Sequence, residues 1–459
     1  MAVHKMIDVF SKHSPVCVMA RAALENVLSD ARLNEIFDET AQRQYCRQLS
    51  FAACAQLMAM VVARIRPSMN AAFEAAQEEV CVSVTSVYNK LQGIEPAVSE
   101  RLVRDTAASM AVVIDELKAP VAGPLPGRDV RILDGNHLAG TEHRIKELRR
   151  LGAAALPGQS LCILDPQRKL IEDVIACEDG HANERSLIRQ LLERVRPKQC
   201  WIADSAYSTM DFMFGMADRK SHFIVRQHGA LLGEPQGRRK KIGRVETGVV
   251  YEQTLRIEGG DGRQMDVRRV TIHLDKPTKK GEAEVHVLTN LPQSVSARQV
   301  ARAYRDRWRI ETAFQEVTTT LRCELNTLGY PAAALFGFCI ALVLYNVLSV
   351  VQASLRASQT ATRKIERNVS LYALTDEIAA VWRGMEIAIP ASDWTEAYAA
   401  MSSKQLAGQL RILARKADLK RFTTYKWTPK RKQPKRISGN RGNHVSTKQI
   451  LGKRVKTTP

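Results

Sequence analysis

The period of hydrophobic and polar positions changes several times along this chain. Over residues 1–105 apolar positions recur at helical spacing with few strand signals. Residues 128–228 then alternate between the two periods. Apolar runs at 130–133, 160–164 and 170–177 read as strands. A helical pattern at 183–195, a strand at 200–203, a helix at 209–219 and a strand at 222–226 follow. Residues 229–290 turn β-rich: two alternating runs, 249–257 and 265–274, flank Gly259-Gly-Asp-Gly262 and read as a hairpin. A further strand is expected at 284–288, and Gly237-Arg-Arg-Lys-Lys-Ile-Gly-Arg244 reads as a basic loop.

Residues 304–321 wind as one amphipathic helix at 100° per residue. Ile310, Phe314, Val317 and Leu321 share an apolar stripe, and Arg305, Arg309 and Glu316 fall on the solvent side. Tyr304, Arg307, Glu311 and Thr318 line the edge of that stripe, so a carboxylate sits beside a packed core with a cation and a phenol as neighbours. Residues 332–351 are nearly all apolar and long enough to cross a bilayer. Gly337, Tyr345, Asn346 and Ser349 interrupt the run, and the rest of the chain is soluble in character, so a buried core helix is expected. Residues 365–420 return to helical spacing, including 401–419.

Charge adds a partner class. The chain has 459 residues and a formal net charge of +20. Thirteen of its Lys and Arg, and no acid, lie in residues 420–459; the remainder carries 55 basic against 48 acidic residues. A tail bearing Lys430, Arg431 and Lys432 has the electrostatic footprint of nucleic-acid binding, or is a solvated solubility segment. Its composition favours disorder in the free protein. Residues 82–91 fit either an ordinary short helix or the second helix of a helix-turn-helix, with Ser and Thr as caps. Nine cysteines without a Cys-x2-Cys pair read as small buried hydrophobes of a reducing compartment. The start of the chain lacks a signal-peptide pattern, and no Gly-x4-Gly-Lys loop supports ATP hydrolysis.

The candidate chemistry lies in three acids. Arg131-Ile-Leu-Asp134 and Cys200-Trp-Ile-Ala-Asp204 are short apolar runs that each end in an aspartate at the exit to a loop. Glu311 follows on the amphipathic helix. Singly these have plain readings: Asp before Gly is a turn signal, and Arg307 with Glu311 is an i, i+4 surface pair. Together they form a metal-site pattern, because hard divalent cations take carboxylate oxygens and leave room for phosphate and water. Two such ions can activate an attacking oxygen and stabilise a leaving one.

Tyr304-x2-Arg307-x3-Glu311 resembles the Tyr-x2-Arg-x3-Glu-x6-Lys signature of bacterial DDE transposases of the insertion-sequence-4 type. Leu133-Asp134-Gly135-Asn136-His137, Leu156-Pro157-Gly158, Ile202-Ala203-Asp204, Ile224-Val225-Arg226 and Leu288-Thr289-Asn290-Leu291-Pro292 match too, and the resemblance spans roughly residues 50–350. Thr318 stands in the Lys position, and Asp204-Ser205-Ala206-Tyr207 lacks an Arg common after the second aspartate. The resemblance implies an α/β fold: a ribonuclease-H-like mixed-sheet core at 128–228 and 291–355, interrupted by a β-rich insertion at 229–290. Helical regions at 1–105 and 365–420 and a basic tail at 421–459 complete it. It implies cut-and-paste transposition, with Asp134, Asp204 and Glu311 as catalytic metal ligands for two Mg²⁺, Mn²⁺ as a substitute, and Tyr304 and Arg307 on the terminal phosphates. Arg322 is the candidate cation in place of the missing Lys, and Tyr251 the insertion's only aromatic available for base stacking. The implied partners are double-stranded DNA, at terminal repeats and target, and a second subunit; no membrane or ATP is implied, and a bacterial cytoplasmic, nucleoid-associated location is expected. The alternatives are a non-catalytic DNA-binding protein derived from a transposase, or a nuclease without strand transfer.

Overall fold

The computed structural model describes residues 2–44, 48–77, 80–141, 145, 156–231, 233–278, 280–358 and 368–424. Residues Met1–Thr423 form one compact unit. The tail residues Lys430, Arg431 and Lys432 lie outside the described residues.

The N-terminal helical pattern folds into α1 (Ala2–His13), α2 (Pro15–Val27), α3 (Asp30–Thr40), α4 (Phe51–Val62), α5 (Met69–Ala75), α6 (Val84–Gln92) and α7 (Pro96–Glu116). Serine side chains cap three of them: Ser50, Ser68 and Ser83 each accept a backbone N–H three residues on, at 3.1–3.2 Å. On α6, Val87 and Leu91 are buried and Thr85, Ser86 and Asn89 are exposed.

The strands β1 (Val130–His137), β2 (Gln159–Asp165), β3 (Leu170–Cys177), β4 (Cys200–Ala203) and β5 (His222–Arg226) form the core sheet in the order β3-β2-β1-β4-β5. β1, β2 and β3 are antiparallel; β1, β4 and β5 are parallel, joined through α8 (Ile188–Arg194) and α9 (Met210–Asp218). Three meandering strands followed by helix-linked parallel strands is the ribonuclease-H-like order. Alternation along the strands builds two cores. Val130, Ile132, Cys200 and Ile202 pack into a large core with the helices of both terminal regions. Leu133, Trp201, Ala203 and Phe223 pack on the other face with Leu191, Phe212 and Met216 of α8 and α9.

The insertion prolongs the same sheet. β6 (Glu234–Val245), β7 (Gly248–Glu258), β8 (Gln264–Leu274) and β9 (Glu284–Thr289) extend it to nine strands among the described residues, with β9 antiparallel to β5. The expected basic loop at 237–244 is instead the middle of β6, paired with β7. Its glycines are bulges: Gly237 and Gly243 have φ of +86° and +145°, and the register slips beside each. A loop signal and a bulge signal are the same residue here.

Beyond the sheet come α10 (Ala297–Arg305), α11 (Trp308–Thr320), α12 (Pro331–Ala357), α13 (Leu371–Ala388), α14 (Ala391–Tyr398) and α15 (Ser403–Lys416). The apolar run forms α12, whose 18-residue most apolar window is entirely buried inside the protein, as a core helix requires. Its one fully buried amide has a clear task. Asn346 Oδ1 accepts the Ile171 N–H and Nδ2 donates to the Ile171 carbonyl, both at 2.8 Å. β3 is the outer strand of the sheet, so this side chain satisfies backbone groups that no strand pairs. Asn346→Leu would leave both groups buried and unpaired, and should lower unfolding free energy by roughly 2–4 kcal/mol. Denaturant titration that finds the variant as stable as the wild type would remove this role for Asn346.

Candidate active site

β1 and β4 run parallel with Val130 opposite Cys200 and Ile132 opposite Ile202. Two residues beyond the last pair come Asp134, still within β1, and Asp204, the first residue past β4. The expectation that Asp134 ends its strand holds only toward β4. On its other edge β1 continues to His137, paired with Gln159 of β2, so Asp134 is within the strand and held on one side. Asp204 does leave the sheet: its Oδ1 accepts the Ala206 N–H at 2.7 Å and caps a short 3-10 turn, Ser205–Tyr207.

The third acid comes from α11, which lies against β1. The single helix expected over 304–321 is two, because the backbone tightens between them. Asp306 N–H bonds to Ala303 O and Arg307 N–H to Tyr304 O, both at 3.1 Å, a 3-10 turn that ends α10 and starts α11. Arg307 stands at that joint. Its Nη1 donates to Asp134 Oδ2 at 3.1 Å and its Nη2 to Glu311 Oε1 at 2.5 Å. One guanidinium thus ties the strand acid to the helix acid. Glu316 and Arg309 are not solvent-facing as expected. Glu316 is half-buried, with the Tyr345 hydroxyl 3.5 Å away, and Arg309 donates to the carbonyls of Ala122 and Pro166.

Glu184, which no spacing in the sequence singled out, joins this group. It opens the 3-10 turn Glu184–Leu187 after β3, and its Oε2 accepts the hydroxyl of buried Tyr207 at 2.9 Å. A Cβ built on Gly135 would stand 2.2 Å from Glu184 Oε1, so the carboxylate rests on the glycine next to Asp134.

The electrostatics follow from this crowding. Burial pushes the Asp134 carboxyl up to about 6; Arg307 opposes the rise, and Asp204, Glu184 and Glu311 add to it. Burial also raises the Tyr304 phenol, against the pull of Arg307 and Arg226. Burial, then the neighbouring Glu184, hold Tyr207 protonated well above the usual tyrosine range. By chemistry the carboxylates of Asp134, Asp204 and Glu311 suit a hard divalent cation. Among the described residues no three His, Cys, Asp or Glu side chains converge into a ready-made cage, and Arg307 supplies the positive charge between two of the acids.

The remaining sequence candidates lie apart from this centre. Thr318 Oγ1 bonds back to the carbonyls of Phe314 and Gln315 in its own helix. Arg322 does not continue the Glu311 stripe, because α11 ends at Thr320; its guanidinium is held by the Pro67 carbonyl. Tyr251 lies on β7 beneath Arg239, whose guanidinium carbon is 4.2 Å from the ring centre.

The transposase DDE domain family matches residues 125–347, a stretch that holds Asp134, Glu184, Asp204, Arg307 and Glu311. This stretch, about half of the chain, is similar to the DDE domain of transposases. No curated protein matches the chain. Among solved structures, a piggyBac transposase synaptic complex with hairpin DNA is similar at 12% identity and a TM-score of 0.40. The match covers 96% of this chain and 91% of that one.

The raised Asp134 carboxyl gives a pH test. A carboxyl raised in the fold stabilises the folded state below its unfolded pKa and loses that contribution as pH rises through its folded value, here about 6. Without divalent cations, Asp134→Asn should therefore be more stable than the wild type at pH 8, by up to roughly 3 kcal/mol. The difference should vanish below about pH 4. Melting curves in chelator across this range check it; a variant less stable at pH 8 would show that the Arg307 ion pair outweighs the burial.

Proposed function

We propose that this chain is a cut-and-paste DNA transposase of the insertion-sequence-4 type. The observation that carries the reading is that Asp134 and Asp204 each follow the Ile132–Ile202 pair of the parallel strands β1 and β4 by two residues, with Arg307 bonded to both Asp134 and the helix acid Glu311. The substrate is double-stranded DNA at the element's terminal repeats and then at the target. Asp134, Asp204 and Glu311 would hold two Mg²⁺, with Mn²⁺ as a substitute; bound there, the cations supply Lewis-acid stabilisation of the attacking and leaving oxygens.

In the first step a water oxygen bonds to the terminal phosphorus, the bond to the 3′-oxygen breaks, and that oxygen leaves as a 3′-hydroxyl. In the second, this hydroxyl attacks a target phosphodiester, one P–O bond replaces another, and a target 3′-hydroxyl is released. Neither step needs ATP. With cations held by Asp134 and Glu311, the Nη1 and Nη2 groups of Arg307 would be free to donate to phosphate oxygens. Tyr304, kept protonated by burial, donates a hydrogen bond beside it. Two subunits would pair the two ends. The self-bonded Thr318 favours a second reading, a DNA-binding protein that has lost cleavage, since a Lys would offer a phosphate a charge where Thr offers none.

One assay separates these readings. Incubated with element-end DNA and Mg²⁺, the protein should cleave and join; Asp134→Ala, Asp204→Ala and Glu311→Ala should each fall below detection while binding DNA like the wild type. Cleavage by Glu311→Ala would end the assignment, and binding without cleavage by the wild type would establish the second reading.

The basic tail with Lys430, Arg431 and Lys432 is the proposed sequence-independent DNA contact. Deleting residues 428–459 should weaken binding to all sequences alike. The slope of log affinity against log salt should flatten by roughly 0.9 for each lost phosphate contact. An unchanged slope would assign the tail to another task.

A further inference from the structure

We infer that Glu184 is a fourth carboxylate of this centre, a positioning residue that adds its charge to the capture of the divalent cations. The inference rests on the catalytic reading of the site proposed above. Two observations place Glu184 there. Its Oε2 accepts the Tyr207 hydroxyl at 2.9 Å, and Tyr207 is the buried last residue of the turn that Asp204 caps. Its Oε1 occupies the space a side chain would take at Gly135, beside Asp134.

A carboxylate packed this way has lost most of its conformational freedom before any cation arrives. One oxygen accepts the Tyr207 hydroxyl, and the other lies against the backbone at Gly135, where there is no Cβ. Residues that orient a metal site from just outside its ligands commonly change metal affinity 10–100-fold when altered. A purely structural Glu184 would need only an acceptor for Tyr207. The Glu184→Gln amide oxygen still accepts that hydrogen bond at nearly the same size, so this substitution isolates the charge.

The test is Mn²⁺ binding by the full-length protein, read by electron paramagnetic resonance and by the Mn²⁺-induced rise in melting temperature. End cleavage is titrated against Mn²⁺ in parallel. Glu184→Gln should melt no earlier than the wild type in chelator and bind DNA normally. It should bind Mn²⁺ about 10–100-fold more weakly. Its cleavage should be lost at limiting Mn²⁺ and recover when Mn²⁺ is raised. Tyr207→Phe, which keeps the charge but frees the carboxylate, should shift the same midpoint less. Glu184→Gln with an unshifted Mn²⁺ midpoint, beside a wild type that binds and cleaves, overturns this inference alone. A wild type that neither binds Mn²⁺ nor cleaves overturns the catalytic reading, and the role of Glu184 with it. A Glu184→Gln protein that melts early in chelator shows Glu184 to be structural.

Discussion

Like charges held together at the end of two parallel strands are the constraint around which this domain is built. Asp134, Asp204, Glu184 and Glu311 come from four separate elements, and each would stay apart in an unfolded chain. In the fold Asp204, Glu184 and Glu311 all act on the half-buried Asp134, where water screens charge poorly. Arg307 is the internal answer, bonded to the acid of a strand and the acid of a helix at once. It stands at the 3-10 joint between α10 and α11.

Holding such a centre together demands a stiff frame, and the fold supplies it through burial. α12 passes through the protein with its most apolar window wholly covered, and its Asn346 closes the outer edge of the sheet at β3. β1 is pinned on both sides, by β4 up to Ile132 and by β2 out to His137. Asp134 sits where one partner strand has ended and the other continues. It is open toward the site and fixed toward the sheet. Asp204 gains similar definition from its own cap on Ala206.

Where hydrophobic period decides structure, the sequence was readable. β3, β4 and β5 fall at the residues that alternation and apolar runs indicate, and α12 is the buried helix that its interrupted apolar run suggests. Local signals failed where one residue type serves two purposes. Gly237 and Gly243 look like loop residues and are bulges in an edge strand. Arg305 to Trp308 looks helical throughout and contains a tighter turn, because tertiary packing fixes the joint and no proline or glycine announces it. Asp134 looked like the end of a strand because Asp-Gly is a turn signal, yet pairing with β2 carries β1 three residues further.

Glu184 shows a different kind of illegibility. Nothing in Ala182-Asn183-Glu184-Arg185 differs from an ordinary polar helix start, and no fixed spacing links it to the other acids. Its place is set by two distant choices, the absence of a side chain at Gly135 and a hydroxyl at Tyr207. Each of those residues has a plain local reading, as a turn glycine and a core aromatic. Only the crossing of β1 with the turns after β3 and β4 makes them a cradle. The same logic runs in reverse for Arg322, which lies on the right side of an extended helical wheel but past the end of the real helix. Extrapolated periodicity is a statement about one element, whereas a site is a statement about where several elements stop.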